Sequence, residues 1–317
     1  MLESDIVITG MGIICPLGLN ARDSAINFSE SRFPPPSPIA ELAGSPMQDA
    51  LAFQIPDFNA GELIGGKRML KYMSGAAILG CIAAREAAAE AGMAQRFRPE
   101  RTGLFAATGL ATADIDEVRP VIEKSIDEKG EFSCHLLGKQ GLSSANPLLS
   151  FKILANIPPC LISIQEKIKG ANLIFNPWEG QAGAALCEAW LSVISGESDC
   201  ALAGGADFPS HPSTYVYLRQ AGILGNSELP SAGAAYLFME KAATAIRDNR
   251  KIHAVISGME LETLGTAIND PMSGKIGRCF AAAPAIQLAI AARTRSGGFE
   301  ITGFDRMTFS VRLEVPS

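Results

Sequence analysis

The 317-residue chain is poor in the residues that most proton-transfer and metal chemistry needs. It has three histidines, His135, His211 and His253, and none stands at ligand spacing from another ligand. Its seven cysteines (15, 81, 134, 160, 187, 200 and 279) stand singly, with no CxxC pair. That excludes a zinc ribbon and reads as reduced thiols, mostly core filler. No GxSxG, HExxH or P-loop spacing occurs. Charge is scarce as well: charged residues make up 19%, the net charge is −6, and Lys and Arg are scattered. Nucleic acid and anionic membrane are thereby excluded as partners. No apolar run reaches the length of a membrane span. The opening MLESDIVITG lacks the basic flank and long apolar stretch of a signal peptide, so the expected location is the cytoplasm.

What is abundant is small and apolar. Hydrophobic residues form 47% of the chain and glycine occurs 31 times, the profile of an α/β protein with closely packed helices. Such a length holds one large domain or two fused halves. With so little charge to solvate a bare monomer, an extensive subunit interface is expected. Residues 5–12, 102–108, 171–175, 200–204, 236–240 and 252–258 read as strands. Over 308–315, Phe309, Val311, Leu313 and Val315 alternate with polar residues, which predicts one covered face and one wet face. Helices are predicted over Lys67–Gly92, apolar all round and closed by glycine, over 114–130 on the surface, and over Lys241–Arg250. Residues 33–60, with prolines at 34, 35, 36, 38, 46 and 56, form an irregular excursion.

Two features go further. IVITGM at Ile6–Met11 is echoed by AVISGM at Ala254–Met259, which suggests two related halves, the second far shorter. Asn176–Gly183 (NPWEGQAG) lies between the apolar run LIF and the small-residue helix AALCEAWLSVIS. Strand, tight turn and buried helix are where many enzymes hold a nucleophile, yet the residue at the apex is Glu179.

In order and spacing these segments resemble the beta-ketoacyl synthase family. Ile6–Gly18 is similar to its opening strand and turn, Leu154–Asn172 to the segment leading into the nucleophile strand, and Ser195–Asp207 to the strand after the nucleophile helix. Ala281–Ile290 and Gly303–Leu313 are similar to the closing helix and strand. The resemblance implies an α/β, thiolase-like layered αβαβα fold with duplicated halves, here 1–250 and a truncated C-terminal half, 251–317. In such synthases a cysteine at the start of the buried helix takes the acyl chain, and two histidines assist decarboxylation. The cysteine's position falls on Glu179. Counting back from Asp270 along the Leu264–Pro271 loop puts the first histidine's position on Glu262, and the Lys275–Pro284 loop puts the second on Arg278. A carboxylate cannot form the thioester, so no catalytic residue is expected. The glycine-rich gate before the last strand reads Gly303-Phe304-Asp305-Arg306, with two glycines replaced. Cys187 is read as packing, and the three histidines as surface or capping residues.

For Glu179 three readings stand: a first-turn acid favoured by the helix dipole, a group holding pocket shape or charge, and an acid or base of raised pKa. The resemblance extends to chain-length factors of type II polyketide systems and to the noncatalytic ketosynthase-like subunit of aryl polyene systems. It implies pairing with an active ketosynthase, contact with acyl carrier protein through that complex, and a share in the wall of the product tunnel. Within Gly109–Pro147, Phe132, Leu136 and Leu137 are tunnel or interface candidates, or else anchors to the chain's own core. Ala171–Phe175, carrying Leu173 and Phe175, is expected to pair across the dimer, with Trp178 just beyond. Rival readings are an independent malonyl-carrier decarboxylase or acyltransferase using Glu179 with Arg278 as anion holder, and a purely structural partner. No cofactor and no metal are expected.

Overall fold

The computed structural model describes residues 2–110, 113–263 and 267–316. One eight-stranded sheet carries the fold: β1 (Ile6–Ile14), β2 (Thr102–Thr108), β3 (Asn172–Phe175), β4 (Cys200–Asp207), β5 (Gly233–Lys241), β6 (Ala254–Glu262), β7 (Gly298–Thr302) and β8 (Thr308–Glu314). The strand order is β3-β2-β4-β5-β1-β6-β8-β7. Seven helices of nine residues or more lie among the described residues: α1 (Ala21–Ser29), α2 (Gly75–Ala91), α3 (Ile115–Glu123), α4 (Ile157–Glu166), α5 (Glu179–Ser195), α6 (Pro212–Gln220) and α7 (Ala283–Thr294).

β1 is buried along its whole length. It pairs with β5 throughout, across a bulge between Ile8 and Gly10, but with β6 only through Ile6, Val7 and Ile8. The echoing segments therefore lie side by side and antiparallel, with Ile6 opposite Ile256. Beyond Ile8 the two limbs of the sheet diverge, which would leave β1 with unpaired N–H groups. Two acids of α2 take them: Glu90 accepts from Met11 (2.8 Å) and Glu86 from Ile13 (3.0 Å). The alanine-rich helix comes this close because β1 carries glycine there; a Cβ on Gly12 would sit 1.9 Å from the Ala83 carbonyl oxygen.

Helices α2 and α4 cover one face of the sheet, and α5 and α7 the other, with α1 against α7. Because α5 touches β2 and β4 of one limb and β6 and β8 of the other, the sheet curls around it. Phe309, Val311 and Leu313 face this core, whereas Ser257, Glu260, Arg312 and Glu314 are exposed. The alternation read over 308–315 thus holds as far as Glu314, with Val315 exposed past the strand end.

Several local expectations are corrected. The helix predicted from Lys67 starts at Gly75: Met73 is extended and the Ser74 hydroxyl caps the Ala77 N–H (3.3 Å), so residues before it form a turn with a 3₁₀ segment at Leu70–Tyr72. The surface helix over 114–130 ends at Glu123, because Asp127 folds the chain back by accepting the N–H groups of Lys129 and Glu131. The helix over Lys241–Arg250 spans only Ala242–Arg247. Strand β6 begins at Ala254 and continues to Glu262, beyond the expected end at Gly258. His253 is no surface residue. It is 7% exposed, its ring lies 3.2 Å from Glu90, and its N–H donates to the Ile8 carbonyl (2.8 Å) at the limb junction.

Candidate functional site

The site gathers at the N-terminus of α5. Asn176 donates from Nδ2 to the carbonyls of Thr108 and Gly109 (2.7 Å each), pinning the turn to the end of β2. A cis bond joins it to Pro177. Trp178 occupies the N-cap and offers no capping side chain, so the first N–H groups of α5 need partners from elsewhere. The turn between β7 and β8 supplies one. Asp305 Oδ1 accepts the Gly180 N–H (3.3 Å), while Phe304 donates its own N–H to Glu179 Oε2 (3.0 Å). This approach needs glycine at 303, where a Cβ would lie 2.8 Å from that of Glu179. Arg306, standing where the family resemblance leads one to expect glycine, adopts φ +62.

The second oxygen of Glu179 meets Arg278. Oε1 lies 2.7 Å from Nη2, and both side chains are 1% exposed. Arg278 Nη1 also lies 3.2 Å from Glu228 Oε1, and its guanidinium sits 4.3 Å from the Phe280 ring centroid. Its Nε has no hydrogen-bond partner among the described residues. The backbone of Arg278 is fixed by its N–H to the Leu229 carbonyl (2.8 Å) and by the Ser231 N–H to its own carbonyl (2.9 Å). Trp178 closes the box, its ring 5.5 Å from Phe280 and 5.1 Å from Phe304. Two positions read separately in the sequence thus meet as one buried ion pair walled by aromatic rings.

Further acids crowd the pair. Burial raises Asp207 well above the usual carboxylate range, with the Glu179 charge adding to it, against the N–H groups of Ala281 (3.1 Å) and Phe208 (2.7 Å). Asp270 is raised to about 6, chiefly by burial. Its Oδ1 accepts from Met272 N–H (3.0 Å) and Gln287 Nε2 (2.8 Å), and its buried Oδ2 has no partner among the described residues. Burial likewise raises Asp305. Both oxygens of Glu179 are occupied, and among the described residues none of their partners is a thiol or hydroxyl. Cys187 packs against the core, and burial pushes its thiol up to about 12. No group of potential ligands among the described residues could hold a metal ion.

The other singled-out residues lie apart. Glu262 sits exposed at the end of β6, opposite Thr308, and does not reach the ion pair. Leu264, Gly265 and Thr266 of the loop used for that alignment lie outside the described residues. Asp270, the starting point of the count, is the residue of that loop that joins the site. Phe132 is 55% exposed, Leu136 and Leu137 are half-buried, and none of the three belongs to a hydrophobic cluster of the chain. Leu173 is 44% exposed on β3, at the open edge of the sheet; Phe175 and Trp178 are half-buried. A cleft of about 830 Å³ runs between the start of α2, the start of α3 and residues 208–212, lined by Met73, Ile78, Ile115, Phe208 and His211 among others. Neither Glu179, Arg278 nor Phe132 borders it. His211 is held between Ser213 (2.9 Å) and Asp114 (3.2 Å), and His135 is exposed.

A mixed sheet curled around a small-residue helix, with a strand-turn-helix apex at its N-terminus, defines a thiolase-like synthase fold. The chain belongs to the beta-ketoacyl synthase family, whose N-terminal domain matches residues 3–236. A putative mitochondrial 3-oxoacyl-[acyl-carrier-protein] synthase of Schizosaccharomyces pombe is 25% identical over 299 residues, 84% of this chain. The chain spans 65% of that protein's length. Among solved structures, the fold matches the ishigamide ketosynthase/chain length factor with a TM-score of 0.78 at 17% identity, over 99% of both chains. It matches a type II polyketide synthase ketosynthase, in complex with its acyl-carrier protein and bound to the hexaketide, with a TM-score of 0.76 at 12% identity, over 98% of this chain and 99% of that one. A beta-ketoacyl synthase from Burkholderia phymatum STM815 gives 0.78 at 13% identity, over 99% of this chain and 100% of that one. No helix among the described residues is long and apolar enough to cross a membrane.

Proposed function

We propose that this chain is a noncatalytic ketosynthase-like subunit. It pairs with an active ketosynthase and shapes the tunnel in which a polyketide or polyene chain grows on acyl carrier protein, as a chain-length factor does. The observation that carries the reading is the Glu179–Arg278 ion pair, buried where the family resemblance puts the nucleophile and second histidine. A carboxylate engaged at both oxygens neither accepts an acyl group nor turns readily to proton transfer. The same engagement counts against an independent decarboxylase or acyltransferase built on Glu179.

Pairing is supported by what is left uncovered. Ile122, Phe132, Leu142, Phe151 and Leu154 are all exposed within one excursion of the chain, and Leu173 and Ile174 stand exposed on the edge strand β3. Phe132, Leu136, Leu137, Leu173, Phe175 and Trp178 are the residues we assign to the interface or tunnel wall. The two related halves are assigned to 1–250 and 251–317, and the complex to the cytoplasm.

Co-expression with a ketosynthase that keeps its cysteine and two histidines, together with an acyl carrier protein, tests the reading. The expected result is a one-to-one complex that makes product, with no acyl adduct on this chain by mass spectrometry. An adduct, or release of carbon dioxide by this chain alone that disappears in Glu179→Ala, overturns it. In the complex, Phe132→Trp and Leu136→Ala are expected to change product length. Unchanged length with intact pairing reduces the role to a structural one.

A further inference from the structure

We propose that the cavity beneath residues 64–73, between α2 and α4, is a binding site for a short aliphatic carboxylate of about six carbons, distinct from the α5 N-terminus. Its volume is about 160 Å³, and its walls are Ile64, Met69, Met73, Cys81, Leu161 and Ile164. A closed cavity of roughly 150 Å³ lined by such residues stays dry and admits a benzene-sized ligand, which sets the scale at about six carbons. Ile64, Met73, Cys81 and Leu161 are each under 9% exposed, whereas Ile164 at the rim is 66% exposed, so the cavity has a sealed floor and an open mouth. Two methionines in the wall let it adapt to an alkyl chain.

Its polar groups fix the orientation of the guest. Near Cys81, Gln165 Nε2 is already committed to the Cys81 carbonyl (3.0 Å) and to Glu166 Oε1 (2.8 Å), leaving that amide no N–H to offer a carboxylate. The Glu166 carboxylate lies close enough to raise the Cys81 thiol, after burial, to about 12, so an anion would be repelled from that end. The mouth is the reverse. Arg68 borders the cavity and makes no ion pair among the described residues, in a chain whose net charge is −6. Arg85 lies behind Gly65 of the wall and is committed to the Ile64 carbonyl. An alkyl tail inserted to the floor therefore brings its carboxylate out beside the Arg68 guanidinium, the pairing that group favours.

The test is titration of the full chain, followed by calorimetry and by NMR shifts of the methionine methyl groups, with hexanoate, 1-hexanol and hexylamine. Hexanoate is expected to saturate, with hexanol and hexylamine at least roughly fivefold weaker. Arg68→Gln is expected to weaken hexanoate roughly fivefold while leaving hexanol unchanged. Cys81→Leu, which fills the floor, is expected to abolish both; Leu161→Phe serves if that variant fails to fold. Absence of saturable hexanoate binding, equal affinity for hexanol, an unchanged Arg68→Gln, or undiminished binding to the filled variant each overturns the proposal.

Discussion

Two Arg–Glu pairs are buried among the described residues, and they are built differently. Arg96 grips Glu240 with both terminal nitrogens (2.7 and 2.6 Å), gives Nε to Asp248 (2.9 Å), and reaches the Ala91 carbonyl (2.9 Å). Thr9 donates to the same glutamate. All three nitrogens of that guanidinium are used, and the pair ties the end of α2 to β5 and β1. Arg278 meets Glu179 at one point, shares a second nitrogen with the half-exposed Glu228, and leaves Nε without a partner among the described residues. A pair placed to hold elements together satisfies its donors. A pair fitted into a box whose walls serve the turn, the helix N-terminus and the aromatic rings takes what geometry is left.

The largest expected effect tests the saturated pair. Arg96→Met strands Glu240, which is 0% exposed, and should cost about 3–5 kcal/mol by denaturant unfolding. Arg278→Met should cost less, about 2–3 kcal/mol, and Glu179→Leu with Arg278→Met should recover most of it. Equal losses at Arg96 and Arg278 would erase the distinction. Of similar size is a pH effect confined to the Glu179 site. Asp270 is raised from 3.8 to about 6, mainly by burial. A carboxyl that holds its proton more tightly when folded gives stability that is full below about pH 4 and is lost as the pH rises through about 6. Unfolding free energy should therefore fall over that window, by up to about 3 kcal/mol, and Asp270→Asn should flatten the slope. The smallest change is expected at Phe132→Ser, within about 0.5 kcal/mol for the isolated chain, since no cluster of its own core includes that ring. A loss above 2 kcal/mol would mean that the ring anchors its own subunit.

The strands were legible because they are short apolar runs, β1, β2 and β4 being buried on both faces, and because the last one alternates cleanly. Helix starts were harder to read. Lys67–Met73 has the composition of a helix, yet Ser74 captures the first free N–H groups and moves the start downstream. Strand β7 went unread because GGFEIT is brief and opens on glycine. Glu179 and Arg278 could each be placed by position in the sequence, but they are 99 residues apart, and nothing local says that they touch. Glu262 was a count along a loop whose length the sequence does not reveal. Asp207 and Asp270 were missed, although an acid ending a glycine-alanine strand and one preceding proline were the available signals. Their importance comes from burial, which only the packing supplies.

The contact between Glu179 and Arg278 also constrains descent. A cysteine at 179 alone would leave the Arg278 guanidinium in the interior with a single partly solvated counter-ion, so that single change would be unstable. The two positions would have to change together, so each holds the other in place as by a ratchet.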